Sequence, residues 1–159
     1  MDCKISTAKA DHFYELSKTH DDLAQLVIGC EEYANSSNIL PPLYTDESYV
    51  CIARRVDTNE AIGFLNFYIF DNQTDVEVYI AWVYIDIDYR NANIYTQLLT
   101  YLKSLCKVME LPLLTVLILK TNECSILAHH KLGFTEYEQS AADKADPESD
   151  RFIAMKLNL

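Results

Sequence analysis

The sequence of 159 residues has the length of one domain, and half of its residues are apolar, which is enough for a hydrophobic core. Its 24 acidic residues outnumber the 13 basic ones and give a net charge of −11, and no dense run of lysine or arginine occurs. This composition argues against a nucleic-acid-binding surface, and the lack of a long apolar segment argues against a membrane span. We expect a single domain over residues 1–159, located in the cytoplasm.

The first half of the chain reads as a strand, two helices and three strands. Cys3 to Ser6 predicts a short strand, and a helix follows from about Lys9 to Thr19. The pair Asp21-Asp22 is a natural cap for a second helix, which ends before a polar loop over residues 35–48. Apolar and β-branched residues then predict strands over 49–55, 61–70 and 75–87, the first two joined by a turn over 57–60.

The second half adds two helices and three strands. Apolar residues recur at helical spacing from Ile94 to Met109, and the buried strand "LLTVLIL" follows over residues 113–119. Asn122 can cap a short helix that ends near Leu132, with Gly133 as its C-terminal residue. Strands over 134–139 and 151–157 close the chain around an acidic loop. The order β-α-α-β-β-β-α-β-α-β-β predicts an α+β domain with a central mixed β-sheet flanked by helices.

The five cysteines form no pattern typical of a disulfide or a metal site. Their number is odd, no CxxC pair occurs, and none is spaced from a histidine as a ligand pair would be. Cys30, Cys51 and Cys106 lie in apolar patterns. We therefore expect reduced core cysteines and no metal.

Two stretches resemble the GNAT superfamily of acyl-CoA-dependent N-acyltransferases. The run "VYIDIDYRNANIYTQLL" (83–99) resembles the family turn V-x-P-x-Y-R-G-x-G-x-G/A, with Ile85, Tyr89 and Arg90 in register. The run "NECSILAHHKLGF" (122–134) resembles the later motif N-x-x-A-x-x-L-Y-x-K-L-G-F. The order of the elements agrees with the family over nearly the whole chain, so the resemblance implies a GNAT-like fold.

The chain departs from both motifs at positions that matter for chemistry. The family glycines fall at Asn91, Asn93 and Tyr95, and the family proline falls at Ile87. The family tyrosine falls at His129. Asparagine tolerates positive φ, so the turn can keep its shape, but a phenol ring at position 95 could block a phosphate.

The resemblance implies acetyl-CoA as the acyl donor, bound where a turn and a helix N-terminus offer free amides to its pyrophosphate. The alternative is an ordinary helix cap that has lost its ligand. The residues that the resemblance assigns to the donor are Ile85, Ile87, Arg90, Asn91, Ala92, Asn93, Ile94, Tyr95, Thr96 and Asn122.

The resemblance also implies a base, an acid and an oxyanion-binding amide. Glu77, with Asp75 behind it, is the candidate base, and the alternative is a solvated carboxylate at a strand end. His129 is the candidate acid in place of the family tyrosine, and the alternative is a helix residue without a role. The amide that binds the oxyanion is expected near Tyr84 or Ile85.

Three classes of function follow. The first is an N-acyltransferase that acetylates a primary amine of a small cationic molecule or a basic peptide. A homodimer is left open as its assembly. The second is an inactive GNAT-fold binding or regulatory protein, and the third is an acidic protein that occupies a basic partner. A cationic acceptor is suggested by tyrosines that can pack against a cation, Tyr33 and Tyr44, and by acidic residues in the flanking segments: Asp21, Asp22, Glu31, Glu32, Asp143, Asp146, Glu148 and Asp150.

Overall fold

A seven-stranded mixed sheet organises the computed structural model, which describes residues 1–71, 76–90 and 92–159. The strand order is β1-β2-β3-β4-β5-β7-β6, and all neighbours are antiparallel except β4 and β5. The elements are β1 (Cys3–Lys9), α1 (Ala10–Ser17), α2 (Asp21–Ser36), β2 (Ser48–Arg55), β3 (Ala61–Asp71), β4 (Val76–Ile85), α3 (Ile94–Val108), β5 (Leu113–Leu119), α4 (Glu123–Lys131), β6 (Thr135–Glu136), α5 (Ala141–Lys144) and β7 (Phe152–Asn158).

Two apolar cores cover the two faces of this sheet. On one face, α3 buries Leu98 and Leu102 against β3, β4 and β5. On the other face, α1 and α2 bury Phe13 and Leu26 against β2 and β3. Because a sheet with helices on both faces hides its central strands from water, β3 and β4 read as apolar runs in the sequence.

The parallel strands β4 and β5 are paired over only part of their length. Their register joins Glu77–Ile80 to Leu113–Val116. Beyond Ile80, β4 continues beside β3 to Ile85, and β5 continues beside β7 to Leu119. The two strands therefore separate toward their carboxyl ends and leave a gap in the centre of the sheet.

A β-bulge at Ala81 changes which side chains of β4 face which core. Phe67 pairs with Ile80 and Asn66 pairs with Trp82, so Ala81 is the extra residue. Before the bulge, Ile80 packs into the core under α3, whereas after it Val83 does so and Trp82 joins the core under α2. The bulge therefore places Trp82 on the α2 side, at the level of the gap.

The predicted fold class and element order are confirmed, with differences at several boundaries. β1 is longer than predicted because the Thr7–Lys9 segment also pairs with β2. The last-but-one strand is shorter, and the acidic loop contains α5 and a 3-10 turn over Pro147–Arg151. The predicted carboxylate at Asp75 and the turn residue Asn91 lie outside the described residues.

Three local predictions are borne out by the backbone and the thiols. Asn122 is the N-cap of α4, and its side chain accepts a hydrogen bond from the Ser125 amide at 3.2 Å. Gly133 follows that helix with φ of +97°. The expected core cysteines are buried and free: Cys30, Cys51 and Cys106.

No helix in the described part of the chain is both long enough and apolar enough to span a bilayer.

Candidate active site

A cleft of about 1020 Å³ opens where β4 and β5 separate. Its walls are Tyr79–Ile85 of β4 and Val116–Leu119 of β5. One end is formed by α3 and α4, and the other by the segment after α2 and the segment before β7. Beyond the strands, the lining residues include Arg90, Tyr95, Asn122, Ser125, His129, Asn38, Leu40, Asp146, Glu148 and Arg151.

The cleft edge of β4 carries backbone groups that have no neighbouring strand. The Asp86 amide donates to the Ile62 carbonyl at 2.8 Å, so Asp86 points toward β3. Backbone groups alternate along a strand, and Tyr84 therefore points toward β3 as well. Val83 and Ile85 point into the gap, where the Ile85 carbonyl accepts a hydrogen bond from Arg90 Nε at 3.1 Å. The amides that face the cleft are therefore those of Val83 and Ile85.

The turn between β4 and α3 contains a left-handed residue even though it has none of the family glycines. Asn93 has φ of 60° and ψ of 28°, a left-handed conformation that asparagine tolerates. It is the N-cap of α3, and the first i→i−4 bond runs from the Gln97 amide to the Asn93 carbonyl. The amides at the start of α3 consequently have no acceptor within their own helix: Ile94, Tyr95 and Thr96.

The side chains of the turn lie on different sides of it. The predicted donor residue Ile87 is 71% exposed, and it begins a short 3-10 turn capped by the Asp86 carboxylate. Arg90 folds back over the cleft wall, with its guanidinium 5.6 Å from the centre of the Tyr84 ring. The structure therefore brings Arg90 to the cleft and leaves Ile87 facing solvent.

Tyr95 and His129 meet inside the cleft. Tyr95 Oη lies 2.6 Å from His129 Nε2, and the ring centres are 5.2 Å apart. His129 Nδ1 lies 2.7 Å from the Ser125 carbonyl oxygen, and the side chain is 5% exposed. Burial lowers the pKa of His129 below its ordinary value and raises the pKa of Tyr95. Both groups are therefore neutral near pH 7.

Glu77 occupies the paired half of β4 rather than the open half. It lies opposite Leu113 and Phe70 in the sheet and is absent from the described lining of the cleft. Burial raises the pKa of Tyr137, and the nearby Glu77 carboxylate adds to that effect. Glu77 therefore lies outside the cleft, in the part of β4 that is paired with β5, and close to the segment that follows β6.

Comparison with known proteins decides the family. The model of the Acetyltransferase (GNAT) family matches residues 9–134. The chain belongs to the GNAT family. Members of this family are acyl-CoA-dependent N-acetyltransferases, and that is the general activity which the fold supports. No curated protein sequence matches the chain.

Solved structures place the same fold over the whole chain. The IAA acetyltransferase from Bacillus cereus superposes with a TM-score of 0.69 at 12% identity, covering 99% of this chain and 100% of the other. A GNAT-family acetyltransferase from Staphylococcus aureus gives 0.66 at 16%, covering 98% and 99%. PaiA N-acetyltransferase from Thermoplasma acidophilum, solved in complex with coenzyme A, gives 0.63 at 15%, with complete coverage of both chains.

The far end of the cleft in this GNAT domain is lined by aromatic and acidic residues. Tyr33 of α2 meets Trp82 of β4 edge to face, with ring centres 6.3 Å apart. Of the eight acidic residues suggested by the sequence, Asp146 and Glu148 line the cleft in the part of the chain that is described. Asp22 does not, because its carboxylate accepts the Ala61 amide at 2.8 Å.

Arg151 joins the two segments at this end of the cleft. Its guanidinium donates to the carbonyl oxygens of Asn38 and Ser37 at 2.9 and 3.1 Å, and it also pairs with Glu148 at 2.6 Å. The segment after α2 is thereby tied to the segment before β7. Sequence reasoning missed this bridge, since the partners are backbone carbonyls that carry no sequence signal.

The contact of Tyr95 with His129 was also missed, although a signal existed. Both residues replace family residues at motif positions, Tyr95 a glycine and His129 the tyrosine. Two departures that fall on elements flanking one site can compensate for each other. Considered together, they single out these two positions, although they do not give the contact itself.

Proposed function

We propose that the protein transfers an acetyl group from acetyl-CoA to a primary amine of a small cationic molecule or a basic peptide. The observation that carries this proposal is the gap between β4 and β5, which opens beside the N-terminus of α3. The gap exposes the backbone of Val83 and Ile85, and the helix start supplies free amides. An elongated acyl donor needs a channel of this kind, with an anion site at its outer end.

The residues around the gap fit such a donor. Arg90 can turn its guanidinium from the Ile85 carbonyl to a phosphate, because it is exposed and held by a single described hydrogen bond. The amides of Val83 and Ile85 face the place where a thioester carbonyl would lie, so either can bind an oxyanion. The role predicted for Asn122 is compatible with its position at the cleft, although its side chain is already used as the cap of α4.

The other end of the cleft supports a cationic acceptor. Asp146 and Glu148 supply negative charge, and the Tyr33 and Trp82 rings offer faces on which a cation can pack. Arg151 neutralises part of this charge through Glu148. An amine attacks only in its neutral form, and the predicted base Glu77 lies outside the described lining. We therefore expect Glu77 to act through water.

An inactive binding module is the second candidate function. It is favoured by one observation: the rings of Tyr95 and His129 lie within the donor end of the cleft. An inactive module would follow if these two rings closed the channel to the donor.

A thermal-shift titration with acetyl-CoA separates the two. The active enzyme should be stabilised by an amount that rises with the logarithm of the acetyl-CoA concentration above Kd, and Arg90→Ala should weaken binding by about 1–3 kcal/mol through loss of a charge-assisted contact. Lys103→Ala is the matched control, because it removes an exposed cation from the outer face of α3. A melting temperature that does not move at millimolar acetyl-CoA would exclude the transferase.

The acceptor is then sought with a panel of polyamines, aminoglycosides and lysine peptides. Release of free thiol should depend on the amine, and Asp146→Asn should raise the KM of the best acceptor. Asp143→Asn is the control, because Asp143 is exposed and lies outside the described cleft lining. Equal KM values for the two variants would contradict the cationic acceptor site.

A further inference from the structure

The hydrogen-bond chain at the donor end of the cleft fixes the protonation of His129. A carbonyl oxygen only accepts hydrogen bonds, so Nδ1, at 2.7 Å from the Ser125 carbonyl, carries the proton. In the neutral ring, Nε2 then has no proton and must be the acceptor. The hydrogen bond at 2.6 Å therefore runs from Tyr95 Oη to His129 Nε2.

In this arrangement the Tyr95 phenol lies between the His129 imidazole and the open part of the cleft. His129 is 5% exposed, Phe134 packs edge-on against its ring at 5.1 Å, and Tyr95 covers its free nitrogen. Neither nitrogen of His129 has a proton to give to a group in the cleft, because the only one is held by the Ser125 carbonyl. The Tyr95 oxygen, by contrast, keeps lone pairs that it does not use toward His129.

The geometry points to Tyr95 as the residue that exchanges protons with the reacting groups, with His129 as the positioning residue that orients its hydroxyl and receives its proton. This inference rests on the proposed acetyl transfer. It assigns to Tyr95 a catalytic role, and it moves His129 from direct acid to the residue behind it.

Once the amine is in its neutral form, the proton balance of the transfer is complete with these two residues. When the new C–N bond forms, the attacking nitrogen must lose a proton, and when the C–S bond breaks, the sulfur must gain one. Tyr95 Oη takes the proton from nitrogen while its own proton passes to His129 Nε2, and the reverse movement delivers a proton to sulfur. The product amide and the free thiol hold all the atoms, and the pair returns to its starting state without a further reactant.

The surroundings of His129 suit this transient charge. The Ser125 carbonyl stabilises an imidazolium at Nδ1, and the Ser125 hydroxyl lies 3.4 Å from the same nitrogen. The neighbouring His130 points elsewhere, with its Nε2 3.6 Å from Glu136. Burial opposes the charge, so the imidazolium is a short-lived carrier rather than a resting state.

The experiment compares the wild type with Tyr95→Phe, His129→Gln and the control Tyr101→Phe. Tyr101 lies on the same helix, and its hydroxyl binds Thr7 away from the cleft. Tyr95→Phe should lower kcat by about 10²–10⁴-fold, with the KM for acetyl-CoA within about threefold of the wild type. His129→Gln should lower kcat less, because Tyr95 keeps its hydroxyl, and Tyr101→Phe should not change it.

A second readout does not depend on activity. In the wild type, the ¹⁵N shifts of His129 should show a protonated Nδ1 and an unprotonated, hydrogen-bonded Nε2. In Tyr95→Phe the Nε2 shift should move toward that of a free acceptor, and Tyr101→Phe should leave it in place. Melting curves show whether each variant is folded.

Three results would overturn the inference. The first is a wild-type kcat in Tyr95→Phe. The second is a loss of rate in Tyr101→Phe equal to that in Tyr95→Phe. The third is a protonated Nε2 in the wild type at neutral pH. Failure of the proposed function itself is seen separately, as a wild-type protein that neither binds acetyl-CoA nor acetylates any amine, and the role of Tyr95 would fall with it.

Discussion

Asp22 offers a sharp test of what the acidic start of α2 does. Its Oδ2 accepts the Ala61 amide at 2.8 Å and lies 3.5 Å from Arg54 Nη1. Its Oδ1 accepts the Leu23 amide at 2.9 Å. The neighbouring Asp21 is exposed and has the same charge in the same helical turn. Replacing each by alanine therefore separates the bond to Ala61 from the general effect of an acid at a helix start.

The expected losses follow from these contacts. An acid in the first turn contributes about 0.3–1 kcal/mol, and this part is common to both residues. Ala61 is 2% exposed, so its amide cannot find water easily once Asp22 is gone, and a hydrogen bond to a charged group contributes about 1.5–3 kcal/mol. The Arg54 pair is partly exposed and adds little. We expect Asp22→Ala to cost about 2–3 kcal/mol and Asp21→Ala to cost less than about 1 kcal/mol.

Denaturant unfolding followed by circular dichroism measures both values, and in thermal melts Asp22→Ala should lower Tm by about 4–12 °C. Asp22→Asn keeps an oxygen acceptor and should fall between the wild type and Asp22→Ala. Equal losses for Asp21→Ala and Asp22→Ala would refute the reasoning, because the bond to Ala61 would then contribute nothing. If Asp22→Ala left the stability unchanged and instead raised the KM for the amine, the acidic residue would belong to the acceptor site.

Three further outcomes are expected. A Cβ on Gly29 would overlap the Tyr84 hydroxyl, so Gly29→Ala should cost about 1–3 kcal/mol by denaturant unfolding, and the loss should disappear in a Tyr84→Leu background. Because burial lowers the pKa of His129, unfolding takes up a proton there below pH of about 6.5; stability should therefore fall as the pH drops from about 7 to 5, and His129→Gln should remove part of that slope. Asn122→Ala should lower the unfolding free energy by about 0.5–2 kcal/mol through loss of the α4 cap, and equal melting curves for variant and wild type would contradict that role.

The elements with a strong local signal were predicted from the sequence. The spacing of Ile94, Leu98 and Leu102 defines α3, and Asn122 with Gly133 brackets α4, because these signals lie within a few turns of chain. The last strands were less predictable. β6 pairs with β7 through Thr135 and Glu136 alone, and no local pattern shows how soon a chain leaves the edge of a sheet.

The site was predictable only in outline. The motifs located the turn at Arg90 and the helix that carries His129, but they did not give the contact between Tyr95 and His129. These two residues are 34 positions apart, and a bond between them depends on how α3 and α4 approach across the gap. The Ala81 bulge was equally hidden, because a strand that is apolar throughout has no alternation for an extra residue to interrupt.

The bulge at Ala81 changes which residue numbers of β4, odd or even, face each side of the sheet. Before the bulge the even residues Val78 and Ile80 pack into the core under α3, whereas beyond it the even residues Trp82 and Tyr84 pack into the core under α2. Ile80 and Trp82 pair with Phe67 and Asn66, which are consecutive in β3, so β4 alternates regularly between the two faces once Ala81 is left out of the count. An ungapped alignment of β4 with a strand that has no bulge would therefore assign Trp82 and Tyr84 to the wrong face of the sheet, and a one-residue gap at Ala81 corrects it.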